Sequence, residues 1–307
     1  MYMGKGTEVL NEIVIGDKTI QLTNITKILW EKKGVRKIDY LNYLMAVSPY
    51  MLPFVRDRLL TTIRFPNGIQ KEKFYQKNCP DYAPEFVQTK REDDIDFIMC
   101  QDEVTLLWLG NQSAIEYHVP FSTIHSVKPA EIVLDLDPPS RRDFKLAVEA
   151  ALLLKEALDR LHLISFVKTS GNKGLQIYIP LPDDVFSYDE TRVFTSFMAR
   201  YLVEKEPAWF TTERLKSKRG KRLYVDYVQH AEGKTIIAPY SLRGNEEALA
   251  ATPLEWKEVN RSLSPEEFPI EAIEQRLKEK GCPFRGGYFE AKQNQPFKVV
   301  LEHLRLT

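Results

Sequence analysis

The 307-residue chain begins with short stretches in which apolar and polar residues alternate, such as GDKTIQLTN at 16–24, which is the period of a half-buried strand. One helical pattern interrupts them near 37–59, where Ile38, Leu41, Leu44, Met45 and Leu52 recur at helical spacing. From 129 to 245 the pattern becomes strand, helix, strand, loop, strand, helix and strand, with long amphipathic helices near 143–161 and 189–204. That order predicts a sheet covered by helices. The tail starts with TPLEW at 252–256 and predicts a charged helix over 265–281 and a short apolar terminal segment. No internal repeat or flexible linker divides the chain, so a lobe over 1–128 and a core over 129–307 are expected to pack as one unit.

The most informative stretch is EIVLDLDPP at 131–139. Strand periodicity puts Ile132, Leu134 and Leu136 on one face and Val133, Asp135 and Asp137 on the other. Two carboxylates about 6–7 Å apart along a strand repel and raise each other's pKa unless a cation lies between them. The prolines that follow end the strand there. A divalent metal is the economical explanation, although exposed strand edges and turn caps also carry such pairs. A second strand, RLYVDYVQ at 222–229, sets Asp226 within apolar and aromatic neighbours. Either Asp226 pairs with Arg222, on the same face by parity, or it is a third ligand in a site for two ions about 4 Å apart. Between these strands, VKTSGNKGLQIYIPL at 167–181 flanks Ser-Gly-Asn-Lys-Gly with two apolar strands. Such a turn offers backbone amides, a hydroxyl and an ammonium together, which suits a triphosphate and also fits a plain hairpin turn. Its position between the two acid strands favours the triphosphate.

Composition narrows the setting. Apolar and charged fractions of 43% and 28% are those of a folded, water-soluble protein. With 43 basic and 43 acidic residues the formal charge is zero, which excludes coating of nucleic acid by bulk electrostatics and makes any such surface local. Two basic clusters, EKKGVRK at 31–37 and ERLKSKRGKR at 213–222, each read as solvated surface when taken alone. Cys79, Cys100 and Cys282 form no CxxC pair, which points to a reduced cytosolic setting without structural zinc. The first eighteen residues lack the apolar core of a signal peptide, and AVEAALLL is broken by Lys155 and Glu156, so neither export nor membrane spanning is expected.

The order DLD, TSGNKGL, VDYVQ and KTIIAPYSLRG resembles the three-motif core of archaeo-eukaryotic primase-type polymerases, above all the polymerase domain of bacterial DNA ligase D. The stretches TNITKILW, LPFVRDR, RFPNGI, FYQKN, IEYHVP and TPLEW carry the resemblance across nearly the whole chain. It implies an α+β primase-polymerase fold, bilobed, with a central, mostly antiparallel sheet flanked by helices and an N-terminal strand and helix lobe that contacts DNA. It also implies that Asp135 and Asp137 ligate two metals, manganese or magnesium, and that Asp226 completes the site nearest the attacking 3′-hydroxyl. Ser170, Gly171 and Lys173 would hold the triphosphate of an NTP or dNTP, with His118, Arg243 and Gln229 beside the nucleotide. Lys27 and Lys37 match the pair that binds a downstream 5′-phosphate. Independently, Lys37 falls in the first turn of a predicted helix, where amides and dipole favour an anion. Phe74 and Tyr75 match an aromatic pair that stacks on template bases, and Arg64 a basic residue near the template.

The resemblance further implies template-directed addition, ribonucleotides preferred, at gapped or broken DNA in non-homologous end joining. Its partners would be the end-binding protein Ku and a ligase domain in cis or in trans, in a bacterial cytoplasm at the nucleoid. Two positions depart from the family pattern. Gln176 stands where the loop usually continues as Gly-Leu-His, and Ile63 stands where a basic residue often precedes the equivalent of Arg64. No Lys-x-Asp-Gly motif is present, so sealing of nicks is not expected of an excised domain or a stand-alone polymerase with this sequence. Two other classes share part of the pattern. A nucleotide-sugar glycosyltransferase also uses a DxD with manganese but leaves Lys27, Lys37 and the Ser-Gly-Asn-Lys turn without a role. A catalytically silent DNA-end-binding module would use the lysines and aromatics but not the acids.

Overall fold

The strand Glu131–Asp137 is the spine of a six-stranded sheet in this computed structural model, which describes residues 12–306. Across the sheet the order is Phe210–Thr211, Leu223–Val225, Glu131–Asp137, Leu175–Pro180, Phe166–Thr169 and Pro253–Leu254. Every neighbouring pair is antiparallel except Phe210–Thr211 with Leu223–Val225. Pro253 closes the sheet at its edge, the place where a residue without a backbone N–H is tolerated. Helices Phe144–Arg160 and Tyr188–Lys205 pack against this sheet, the second opened by a Ser187–Glu190 capping box. On the side carrying Phe166 and Tyr178, the aromatic rings of Phe284 and Tyr288 from the tail pack in edge-on or tilted contacts.

A second, four-stranded antiparallel sheet runs Thr235–Ile237, Ala114–Pro120, Thr61–Arg64 and Phe74–Gln76. Its first strand comes from the later half of the chain and the other three from the earlier half. The segments on either side of residue 128 therefore share a sheet, and one hydrophobic core runs through both. This mixed, mostly antiparallel architecture flanked by helices is the fold class predicted from the sequence.

The predicted helices near 37–59, 143–161 and 189–204 form as Lys37–Val55, Phe144–Arg160 and Tyr188–Lys205. The tail differs. Pro269 disfavours a helical residue before it and lacks the N–H to continue a helix, so 265–281 divides into a 3-10 turn, Pro265–Glu267, and a helix, Ile270–Lys280. The terminal apolar segment forms two short helices, Tyr288–Asn294 and Phe297–Leu304. The strand predicted over 222–229 stops at Val225, which leaves Asp226 just beyond its end. The three cysteines are free, and among the described residues no helix is long and apolar enough to cross a membrane.

One buried ion pair joins the two halves. Arg58 holds Glu131 through two contacts of 2.7 Å and also donates to the carbonyl of Pro120 at 2.6 Å. The end of one sheet's central strand, the start of the other's, and the segment after the first long helix meet there. Removing one partner of a buried pair strands the other charge. Glu131→Ala is therefore expected to lower the unfolding free energy by about 3–5 kcal/mol in urea denaturation. A loss below about 1 kcal/mol would mean that the pair behaves as a solvated one.

Candidate active site

Asp135 and Asp137 lie at the C-terminal end of the spine strand, where alternation gives them the same face. Asp135 faces Gln176 in register, and Gln176 Nε2 donates to its Oδ1 at 3.0 Å. Asp226 joins from the other side, its amide donating to the Asp135 carbonyl at 3.3 Å. The Asp226 carboxylate accepts from the Tyr224 hydroxyl and the Gln229 amide, each at 3.1 Å. The ion pair with Arg222 is absent, because that guanidinium donates to the carbonyls of Lys218 and Arg219. Burial pushes the Asp135 carboxyl up to about 6; Gln176 opposes the rise, and the charges of Asp137 and Asp226 add to it. Burial also raises Asp226, against the Tyr224 hydrogen bond. Asp137 turns to Lys173, 3.0 Å away, whose ammonium also donates to the Pro138 carbonyl at 2.7 Å. With the acids so engaged, no group of three or more His, Cys, Asp or Glu among the described residues is arranged to hold a metal ion.

The Ser-Gly-Asn-Lys-Gly turn lies beside these acids for a backbone reason. Ser170 Oγ accepts from the amides of Asn172 and Gly174 at 3.3 and 3.0 Å, which closes the turn on itself. Gly171 has φ +70°, and a Cβ there would lie 2.9 Å from Arg243 Cγ. At Gly174 a Cβ would stand 2.2 Å from the Leu136 carbonyl oxygen, so only glycine lets the turn press against the strand that carries the carboxylates.

Next to the turn opens a cleft of about 450 Å³ lined by Ile63, Tyr75, Glu116, His118, Asn172 and Arg243 among others. Glu116 organises it. Its carboxylate accepts from Arg243 Nη1 at 2.7 Å and the Gly244 amide at 3.1 Å, and contacts His118 Nε2 at 3.0 Å. Burial works to raise the Glu116 pKa, but His118 and Arg243 overcome it and hold the group at about 2. Burial depresses His118 below the usual imidazole range, with Glu116 opposing. The sequence reading passed over Glu116, although its two-residue spacing from His118 in IEYHVP puts both side chains on one face. Gln229, by contrast, spends its side-chain amide on the Thr235 carbonyl at 2.8 Å.

The two basic clusters now separate. Lys32 and Lys33 pair with Glu246, Glu247 and Glu271 on the surface. The later cluster instead borders the acids: Lys216, Arg219 and Arg222 line a pocket with Asp137, Lys173 and Tyr224, and Arg219 stacks 3.7 Å above the Tyr224 ring. Lys27, Lys37 and Arg64 form a separate cationic group. Lys37 is the first residue of its helix, and its ammonium donates to the carbonyls of Thr23 and Asn111 at 2.7 and 2.8 Å. Burial, with the charges of Lys27 and Arg64, lowers it to about 8. Lys27 donates to the Pro66 carbonyl at 2.8 Å, and the Arg64 guanidinium lies 5.0 Å above Phe74. Phe74 and Tyr75 are exposed, at 43% and 68%. Their strand pairs Arg64 with Phe74 and Ile63 with Tyr75, so it links the cationic group to the cleft.

A family model for the LigD primase-polymerase domain matches residues 36–284. The chain belongs to this family. It is 51% identical, over 93% of its length, to the bifunctional non-homologous end joining protein LigD of Bacillus subtilis, and covers 47% of that protein. It is 30% identical, over 78% of its length, to the multifunctional LigD of Mycolicibacterium smegmatis, of which it covers 32%. The chain thus spans half or less of the length of these relatives. Among solved structures it is similar to the polymerase domain of Mycobacterium tuberculosis ligase D in complex with DNA, with a TM-score of 0.79 and 28% identity, covering 90% of this chain and 99% of that one.

The close approach at Gly174 has a measurable consequence. Gly174→Ala is expected to lower the unfolding free energy by about 1–3 kcal/mol through overpacking against backbone. Urea denaturation checks this, and unchanged stability would show that the turn can lift off the strand.

Proposed function

We propose that this chain is a template-directed nucleotidyltransferase of the primase type, adding nucleotides, ribonucleotides by preference, to 3′ ends at gaps and double-strand breaks in non-homologous end joining. The observation that carries this reading is the meeting of three carboxylates and a glycine-rich turn with its lysine at one end of one sheet, beside a cleft that holds Arg243 and is walled by the second sheet. Membership of the LigD primase-polymerase family and the end-joining names of the relatives support it.

Asp135, Asp137 and Asp226 would hold two divalent metals, manganese by preference over magnesium. Their carboxylates are the hard oxygen donors that such ions take, and the upward push that Asp137 and Asp226 exert on Asp135 is what a cation between them would relieve. When bound, such ions lower the pKa of a 3′-hydroxyl and neutralise charge on a leaving pyrophosphate. Lys173 would exchange Asp137 for triphosphate oxygens, while Ser170 and the backbone of Gly171 cradle the same phosphates. Arg243, steadied by Glu116, would offset charge that develops on the transferring group. His118 and Gln229 would border the nucleotide. Phe74 and Tyr75 would stack on template bases regardless of sequence, Arg64 would contact the template strand, and Lys27 and Lys37 would take the downstream 5′-phosphate. Ku and a ligase domain, in cis or in trans, would complete the repair, in the bacterial cytoplasm at the nucleoid.

The test is extension of a gapped DNA primer bearing a downstream 5′-phosphate, with manganese and either ribo- or deoxyribonucleotides. Wild type is expected to add template-matched nucleotides, ribonucleotides faster. Asp135→Ala is expected to lose extension by about a thousandfold or more while still binding the DNA. Equal extension by the variant would instead leave a DNA-end-binding module as the better account.

A second expectation concerns pH. An ammonium with a pKa of about 8 is charged below that pH and neutral above it. The preference for a 5′-phosphate over a 5′-hydroxyl end is thus expected to be full near neutrality and to shrink as pH rises through about 8. The ratio of the two dissociation constants across that range measures it, and a flat ratio would remove Lys37 from the phosphate site.

A further inference from the structure

Lys168 is a buried lysine that the functions described above leave unused. It lies on Phe166–Thr169, directly across from Gln176, which in turn lies directly across from Asp135. Asp226, Asp135, Gln176 and Lys168 therefore form one polar row across four adjacent chain segments at the end of the sheet. Lys168 is 0% exposed, yet its ammonium has a single hydrogen bond, to the Thr169 carbonyl at 3.3 Å, and no ion pair among the described residues. The Tyr178 ring, 5.8 Å away, adds a weak cation–π contact. Gln176 is also incompletely satisfied. Its Nε2 is committed to Asp135, while its Oε1 is buried without a partner among the described residues.

A buried ammonium with so little local compensation is costly. Burial therefore pushes the Lys168 pKa well below the ordinary lysine value, the Arg243 charge lowers it further, and Asp135 opposes the fall. A glutamine amide between a carboxylate and an ammonium has one arrangement that suits both, with its donor end to the acid and its acceptor end to the cation. The donor end already takes the acid side.

We propose that Lys168 is a positioning residue for the acid site: acting through Gln176 across the strand pair, it orients the Asp135 carboxylate for cation binding. The inference rests on the reading of Asp135, Asp137 and Asp226 as metal ligands. It is independent of whether the metal serves polymerisation.

The test uses Mn2+ alone, titrated into the whole chain and followed by electron paramagnetic resonance, with primer extension measured in parallel. Lys168→Met keeps the side-chain volume and removes a buried, poorly partnered polar end, so its melting temperature is not expected to fall. Its Mn2+ affinity is expected to drop about tenfold or more, the usual effect of losing a group that orients a ligand. Lys168→Arg should recover most of that loss. Gln176→Ala should match Lys168→Met, and the double variant should bind no more weakly than either single one, because both act along one path. Unchanged or tighter Mn2+ binding by Lys168→Met, or losses that multiply in the double variant, would overturn the inference. Should Lys168→Met fold poorly, Lys168→Arg and Gln176→Ala decide: equal, wild-type affinity in both also overturns it. Wild-type protein that binds Mn2+ but adds no nucleotide would defeat the polymerase reading and leave this one standing. Absence of Mn2+ binding by wild type would end both.

Discussion

Three carboxylates that converge at the end of one sheet repel one another, and much of the surrounding structure offsets that repulsion. Gln176 donates to Asp135, Lys173 pairs with Asp137, and Tyr224 and the Gln229 amide hold Asp226. The Asp135 carboxyl still rises to about 6, chiefly through burial, with the charges of Asp137 and Asp226 adding to the rise. A site that holds its acids close by neutral donors and one ammonium keeps negative charge in reserve. Such a reserve is what a divalent cation requires, and a fully ion-paired cluster would lack it.

The backbone makes this convergence possible. Antiparallel pairing sets Gln176 and Asp135 opposite each other, and the glycine at 174 lets the Ser-Gly-Asn-Lys-Gly turn touch the Leu136 carbonyl with no side chain between. The second sheet then adds the cleft wall. Because Thr235–Ile237 pairs with Ala114–Pro120, Glu116 and His118 come to face Arg243, and Glu116 serves as the common anchor of both. The buried Arg58–Glu131 pair ties the two sheets at the opposite end of the spine strand. Misplacing either sheet would separate the acids from the cleft.

The same second sheet connects the cleft to a more distant cationic group. Tyr75 lines the cleft while Phe74, its neighbour, carries Arg64 above its ring, and Arg64 in turn influences Lys37. In the reading proposed above, the nucleotide, the template base beside it and the downstream 5′-phosphate would be measured along one rigid hairpin, not by separate loops. Spacing between those three elements would then follow from strand geometry, which suits an enzyme acting on short gaps.

Local periodicity in the sequence was sufficient for the spine strand with its two acids on one face, for the three long helices, and for the turn between two apolar strands. These depend on neighbours within a few residues, and the order of the motifs was enough for the family. The partners of the acids were not legible in this way. Parity left Asp226 either paired with Arg222 or turned to the other acids, and only the structure shows that the strand stops at Val225 and the carboxylate accepts from Tyr224 and Gln229. The anchoring of Arg243 and His118 by Glu116, the burial of Lys37 and Lys168, and the difference between the two basic clusters likewise depend on segments distant in the chain. Periodicity records whether a residue is buried, whereas strand order and register, settled by packing across the whole molecule, decide which charge it meets.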